Sequence, residues 1–300
     1  MKNEYHISVM PEESVKGLNL FNGAIIVDAT FGGGGHSRLI LDRIGSGRLF
    51  AFDQDEDAAD NTLKDDRFFF IRHNFRYLKN FLWFYDIQEV DGIIADLGVS
   101  WHDFDQPDRG FSFRFDSKLD MRMNRGDPVD AAWIINNHPP ELLISVFKRY
   151  GEIKNAARLV NEIIKYRSVR LIETTTQLKK IAIACAPRGG ENKYLAKVFQ
   201  ALRIEVNDEI NSLQDFLKAS LELLKRGGRL VVITYHSLED RLCKSFMKTG
   251  NFQGNVEKDF YGNIKSPFRL VNKKVITPRP AEIEKNPRSR SAKLRIAEKI

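Results

Sequence analysis

The run Asp28-Ala29-Thr30-Phe31-Gly32-Gly33-Gly34-Gly35-His36-Ser37 sets four consecutive glycines between a carboxylate and an imidazole. Four glycines are costly to order, and the cost makes sense where backbone must pass close to a ligand, because glycine lacks a Cβ and reaches positive φ freely. A tight structural turn would need only one or two. The run departs from the nicotinamide fingerprint: counting from Gly32, the last glycine position of G-x-G-x-x-G holds Ser37. The chain also contains no G-x-x-x-x-G-K-[ST], which sets aside a P-loop nucleotidase. Asp53 follows 18 residues beyond Gly35, close to the roughly 20-residue spacing at which an acidic residue reaches ribose hydroxyls.

Asp55, Glu56 and Asp57 come directly after. They read either as the acidic start of a solvated helix or as a rim that repels a pyrophosphate. A cofactor with a ribose, a positive charge and no phosphate, S-adenosylmethionine, suits that rim better than NAD. Phe75 is a candidate to stack on an adenine face, or else a core aromatic. Asp96 in Asp96-Leu97-Gly98-Val99-Ser100 is a candidate catalytic carboxylate. An exocyclic amine of a base is a poor nucleophile because its lone pair is delocalised, so it needs an acceptor drawing on its N–H. Asp96 could serve that amine or hold the cofactor. His236 in Tyr235-His236-Ser237-Leu238-Glu239-Asp240-Arg241 is the second catalytic candidate. The alternative there is structural, with Ser237 capping a helix and Asp240 in its first turn. His138-Pro139-Pro140-Glu141 resembles the [DNS]-P-P-[FYW] loop of amino methyltransferases only superficially: neither end residue matches, and Pro140 suits a helix start.

These residues need elements that hold them on one edge. Ala24 to Asp28, Arg48 to Asp53, Arg67 to Ile71 and Asp91 to Asp96 are strand-length apolar runs. They alternate with helical patterns over His36 to Ile44 and Phe75 to Phe84. Strands alternating with helices predict βαβ units, an α/β fold with a mostly parallel sheet covered on both faces. Asp28, Asp53 and Asp96 then fall at the carboxyl edge, where ligands of such folds bind. From about Phe104 to Leu202 helical signals replace strands: Glu141 to Tyr150 is stopped by Gly151, and Gln177 to Ala184 is capped by Thr174 to Thr176. Ile210, Leu213, Leu217, Leu221 and Leu224 fall at helical spacing, and after Gly227-Gly228 a strand runs from Arg229 to Tyr235. Phe268 to Val271 and Lys293 to Ala297 are the candidate last strands. The domain reading is 1–104 with 203–300 for the sheet, and 105–202 for an inserted helical domain.

Composition bounds the partners. With 42% apolar and 29% charged residues the 300-residue chain is globular, not disordered or fibrous. No run reaches the roughly 20 apolar residues of a membrane span, and the start lacks a signal-peptide core. A cytoplasmic protein is expected. The two cysteines, Cys185 and Cys243, have no metal-ligand spacing, so neither a disulfide framework nor a zinc cluster is expected, and no metal is called for. The net charge of +7 is uneven: residues 241–300 carry 15 Lys and Arg against 5 Asp and Glu. Such a basic segment attracts a polyanion, nucleic acid above all, unless it is simply a solvated tail.

The motifs taken together resemble the 16S ribosomal RNA cytosine-N4 methyltransferases, the RsmH or MraW family. They are Tyr5-His6, Asp28 to Ser37, Asp96 to Ser100, Arg109 to Phe113, Leu119 to Met123, Phe199 to Ile204 with Val206-Asn207, His236 to Arg241, and Asn286 to Ser291. They run in the family's order across essentially the whole chain. The resemblance implies a class I S-adenosylmethionine-dependent methyltransferase fold, Rossmann-like, with an inserted helical domain. It implies methylation of N4 of a cytidine at the decoding centre, with the small ribosomal subunit and its 16S rRNA as partner. By motif match Gly34, Gly35 and His36 line the methionine part of the cofactor, Asp53 its ribose, Phe75 its adenine region, and Asp96 the end of the site. Asp103 occupies by count the place of a polar cofactor contact, typically Gln, and Ser8 replaces the usual proline of His-x-Pro-Val-Leu. Arg288, Arg290 and Lys293 are candidate phosphate contacts. A homodimer is compatible with the sequence. The competing readings are an amino methyltransferase of another RNA or DNA, a non-catalytic ribosome-assembly factor, and an NAD oxidoreductase.

Overall fold

The computed structural model describes residues 8–99, 106–258, 260–262 and 265–300. The chain divides into two compact units, residues 1–98 with Ile210–Ile300, and Val99–Glu209. The second unit thus extends several residues beyond 105–202 at both ends.

The first unit is a Rossmann-like sheet of seven strands: β1 (Ile25–Asp28), β2 (Arg48–Asp53), β3 (Phe68–Arg72), β4 (Val90–Asp96), β5 (Leu224–Thr234), β6 (Phe268–Leu270) and β7 (Lys293–Lys299). Their order is β3-β2-β1-β4-β5-β7-β6. The first five run parallel, and β7 is antiparallel to both β5 and β6. Strands of this kind are covered on both faces, and alternate residues sort accordingly. Val27, Phe50, Phe52, Ile93, Ala95 and Val232 pack in one apolar cluster; Ile26, Leu49, Ile94, Val231 and Ile233 pack in the other. Each fully buried Val, Leu, Ile or Phe side chain contributes about 1.5–3 kcal/mol.

Helices α1 (Pro11–Gly17) and α2 (Gly35–Leu41) contribute Val15, Ile40 and Leu41 to the second of these clusters. Helix α3 (Leu78–Phe84) supplies Leu78 and Leu82 to the first. The helix expected over Phe75 to Phe84 is split, because Asn74 caps a 3-10 turn at Phe75–Tyr77 before α3 begins. The strand expected from Arg229 begins at Leu224 and carries a register break opposite Val90 and Gly92, with Gly227 at φ 81°.

The second unit has its own core, built on α4 (Ala131–Asn137), α5 (Pro140–Arg149), α6 (Ala156–Arg167), α7 (Thr175–Cys185) and α8 (Glu191–Val206). Phe147, Leu159, Ile163, Leu178, Val198 and Leu202 meet there. Pro140 opens α5 and Thr174 caps α7 through a reciprocal capping box with Gln177, as expected. Two of the sequence motifs are devices of this core. Arg109 is buried, its Nη2 donating to the carbonyls of Arg122 and Met123 at 3.1 and 3.2 Å. Asn207 accepts from Met123 N at 2.7 Å and donates to the Met121 carbonyl at 2.8 Å. Helices α9 (Glu209–Leu223), α10 (Ser237–Thr249) and α11 (Pro280–Lys285) return the chain to the first unit. Among the described residues no helix is long and apolar enough to cross a membrane.

Candidate active site

Strands β1, β2 and β4 are neighbours, parallel, and each ends in an aspartate. Parallel pairing therefore brings Asp28, Asp53 and Asp96 to the same edge, as the spacing predicts. The glycine loop between β1 and α2 is laced to β2: Gly32 N donates to Asp53 Oδ2 at 2.8 Å, and Phe31 N to the Phe52 carbonyl at 2.8 Å. Asp55 N donates to the other oxygen of Asp53 at 2.9 Å. Asp28 accepts from Ser37 Oγ at 2.7 Å and from Thr30 N at 3.1 Å.

The glycines divide by role. A Cβ at Gly35 would lie 1.9 Å from Ser8 Oγ, so a side chain there requires the Ser8 hydroxyl to move. At Gly32, φ is 51° and a Cβ would meet nothing within 4 Å, so this turn borders open space beside Asp53. A loop that is bare on one side and carboxylate-lined on the other fits a ribose-bearing ligand.

Asp96 is held differently. Its N–H donates to Thr30 Oγ1 at 2.6 Å, and the Tyr235 hydroxyl donates to its Oδ1 at 2.7 Å. The Tyr235 ring lies over Gly98, whose φ is 112° and whose missing Cβ would sit 3.4 Å from the ring. The loop holding Tyr235 is a sequence motif, but this bond joins residues 139 positions apart and has no local signal.

Burial pushes all three aspartates up, each to about 6. The hydrogen bonds to Asp28 and Asp53, and His36 with Tyr235 for Asp96, oppose the rise without cancelling it. Burial pushes His36 down, and its Nε2 donates to the Val9 carbonyl at 3.1 Å. His36 is thus pinned under the loop by that bond. Desolvated carboxylates lose least when a cation lies beside them.

The remaining candidates are placed as follows. Phe75 is partly buried, edge-on to Phe216 with ring centres 5.2 Å apart. His236, and not Ser237, is the N-cap of α10: its Nδ1 accepts from Glu239 N at 3.4 Å, and Glu239 Oε2 accepts from Tyr235 N at 3.0 Å. The imidazole therefore has a structural task at the helix start. Lys293, expected at phosphate, pairs with Asp240 at 3.1 Å beside Arg295 at 2.7 Å. Asn286 caps the turn Pro287–Ser291, which leaves Arg290 exposed. Asp103, Tyr5 and His6 lie outside the described residues.

The arrangement can hold a cationic, ribose-bearing ligand along the glycine loop and present a carboxylate of near-neutral pKa at its far end. Comparison with known proteins agrees with that chemistry. Residues 3–300 match the model of the MraW methylase family. A relative from Parabacteroides distasonis, named ribosomal RNA small subunit methyltransferase H, is 57% identical over 99% of this chain and 98% of its own. One of the same name from Bacteroides thetaiotaomicron is 57% identical over 98% and 97%. Another from Flavobacterium johnsoniae is 53% identical over 99% and 98%. Motifs, sheet topology and full-length similarity converge, and the chain belongs to the MraW methylase family.

Proposed function

We propose that this methylase transfers the methyl group of S-adenosylmethionine to ribosomal RNA of the small subunit, at the N4 amine of a cytidine in the decoding centre. The observation that carries the reading is the grouping of Asp28, Asp53 and Asp96 around a glycine loop with open space at Gly32. When bound, the sulfonium cofactor would supply an electrophilic methyl group, its S–C bond breaking to leave a neutral thioether. Asp53, its inner lone pairs satisfied by Gly32 and Asp55 N–H, keeps outward lone pairs for ribose hydroxyls. Gly34, Gly35 and His36 border the methionine part, and Phe75 the adenine. Asp96 accepts a hydrogen bond from the acceptor amine and takes its proton as the N–C bond forms; a pKa of about 6 suits a base at neutral pH.

A cytidine must be unstacked to present N4, so the target is a single-stranded or opened nucleotide. Arg288 and Arg290 meet phosphates, which position RNA without reading sequence. The reading places the enzyme in the cytoplasm with the assembled small subunit as substrate. It is tested by offering labelled S-adenosylmethionine with unmethylated small subunits, free ribosomal RNA, transfer RNA and DNA in parallel, then mapping the methyl group by mass spectrometry. N4-methylcytidine in the small subunit is expected. Transfer to none of them, with cofactor binding intact, would favour a different acceptor or an assembly factor instead.

A further inference from the structure

We propose that Tyr235 is a positioning residue for methyl transfer: its hydroxyl, 2.7 Å from Asp96 Oδ1, fixes that carboxylate in one orientation and leaves Oδ2 for the acceptor amine. The inference rests on the role given to Asp96 above. Three observations carry it. The bond is short and joins the ends of adjacent strands, since Asp96 lies opposite Ile233 in the β4–β5 ladder. The ring lies over Gly98, and the backbone N–H of Tyr235 donates to Glu239 Oε2 at 3.0 Å, so both ends of the residue have a defined neighbour. Asp96 is partly exposed, and among the described residues no hydrogen bond reaches its Oδ2. Among the described residues, one oxygen is therefore occupied and the other carries no hydrogen bond.

The tie also sets when the carboxylate is charged. Asp96 faces His36 from α2, Asp28 from the end of β1, Glu239 from α10 and Tyr235 from the loop after β5. The two acidic neighbours and burial disfavour the carboxylate, whereas the Tyr235 hydroxyl favours it. Burial and the neighbouring carboxylates hold Tyr235 well above the usual phenol range, so it stays a donor throughout the working pH. Removing the hydroxyl raises the pKa of Asp96, and a stronger donor lowers it.

The test measures kcat and KM for methyl transfer to small subunits between about pH 5 and 9 in three full-length variants. Tyr235→Phe is expected to move the acid limb of kcat up by about one pH unit, the scale of one hydrogen bond to a charged group. Turnover then falls by up to about tenfold on the acid side of the limb and recovers at high pH, with KM for the cofactor within about twofold. A ring-fluorinated tyrosine at position 235 keeps the shape and donates more strongly, so the limb moves down; it decides the matter even if the Phe variant folds poorly. Limbs that stay in place, or equal loss at every pH, would overturn the proposal. Asp96→Asn separates the two readings. If it turns over normally, the role of Asp96 fails and this proposal with it. If it is inactive while the limbs of the Tyr235 variants do not move, only the role of Tyr235 fails.

Discussion

Asp53 and Asp96 end two parallel strands of one sheet and are pushed by burial to the same value, about 6, yet they are restrained in different ways. Asp53 is gripped by backbone N–H groups of Gly32 and Asp55. Asp96 is gripped by a side-chain hydroxyl from the next strand end. Backbone donors persist whatever side chains surround them, so the β2 end is a fixed binding fixture. A side-chain donor can be altered by one substitution, so the β4 end is where reactivity is tuned. The two carboxylates thus divide holding from reacting.

The sharpest way to break that division is Asp96→Asn, expected to lower kcat by about 10²- to 10⁴-fold, the usual contribution of a positioned general base. Cofactor affinity in a calorimetric titration should change only a few-fold. Asp53→Asn should do the reverse, weakening cofactor binding by about 10- to 100-fold through lost charge-assisted hydrogen bonds while saturated turnover stays within a few-fold. If both variants lose turnover and keep binding, the division is wrong. Smaller effects separate the glycines. Gly35→Ala must displace Ser8, at an expected cost of about 1–3 kcal/mol in denaturant unfolding. Gly32→Ala meets no atom and is expected to cost about 1–2 kcal/mol, from the positive φ alone, with the larger loss in cofactor affinity.

A pH experiment sharpens the same contrast. Asp28, Asp53 and Asp96 have folded-state values raised to about 6 from 3.8, so the folded chain binds protons more tightly than the unfolded one. Their contribution to stability is fully present below pH 3.8 and is lost as pH rises through about 6. A cation at the site favours the charged forms. Stabilisation by S-adenosylmethionine in thermal unfolding should therefore grow between about pH 5 and 7.5, by a few degrees. A ligand-induced shift that is flat with pH would mean the carboxylates do not face the cofactor's charge.

Much of this edge was legible from local pattern. Apolar runs closing on Asp28, Asp53 and Asp96 mark strand ends, and a parallel sheet aligns them. Four glycines after the first mark where backbone and ligand approach. The Tyr235–Asp96 bond was not legible, because it depends on the register of β4 against β5 across the whole second unit. The capping role of His236 was hidden too, since serine is the usual cap and the histidine beside it resembles a catalyst. Lys293 looked free in sequence because its partner Asp240 is 53 positions away. Arg109 read as part of a motif, and only packing shows it buried against the carbonyls of Arg122 and Met123.

The position of β7 bears on how the protein is made. Lys293–Lys299 pairs with β5 on one side and β6 on the other, although it follows both in sequence. Among the described residues β6 pairs with no strand besides β7, so that flank of the sheet cannot close until residues 293–299 have been synthesised. A nascent chain emerging from the ribosome can assemble β1 to β5 early, but it must leave β5 with an open edge until synthesis reaches the final strand. An unpaired edge is a template for other chains. Between translation of β5 and of β7 the chain therefore carries such a template at its β5 edge.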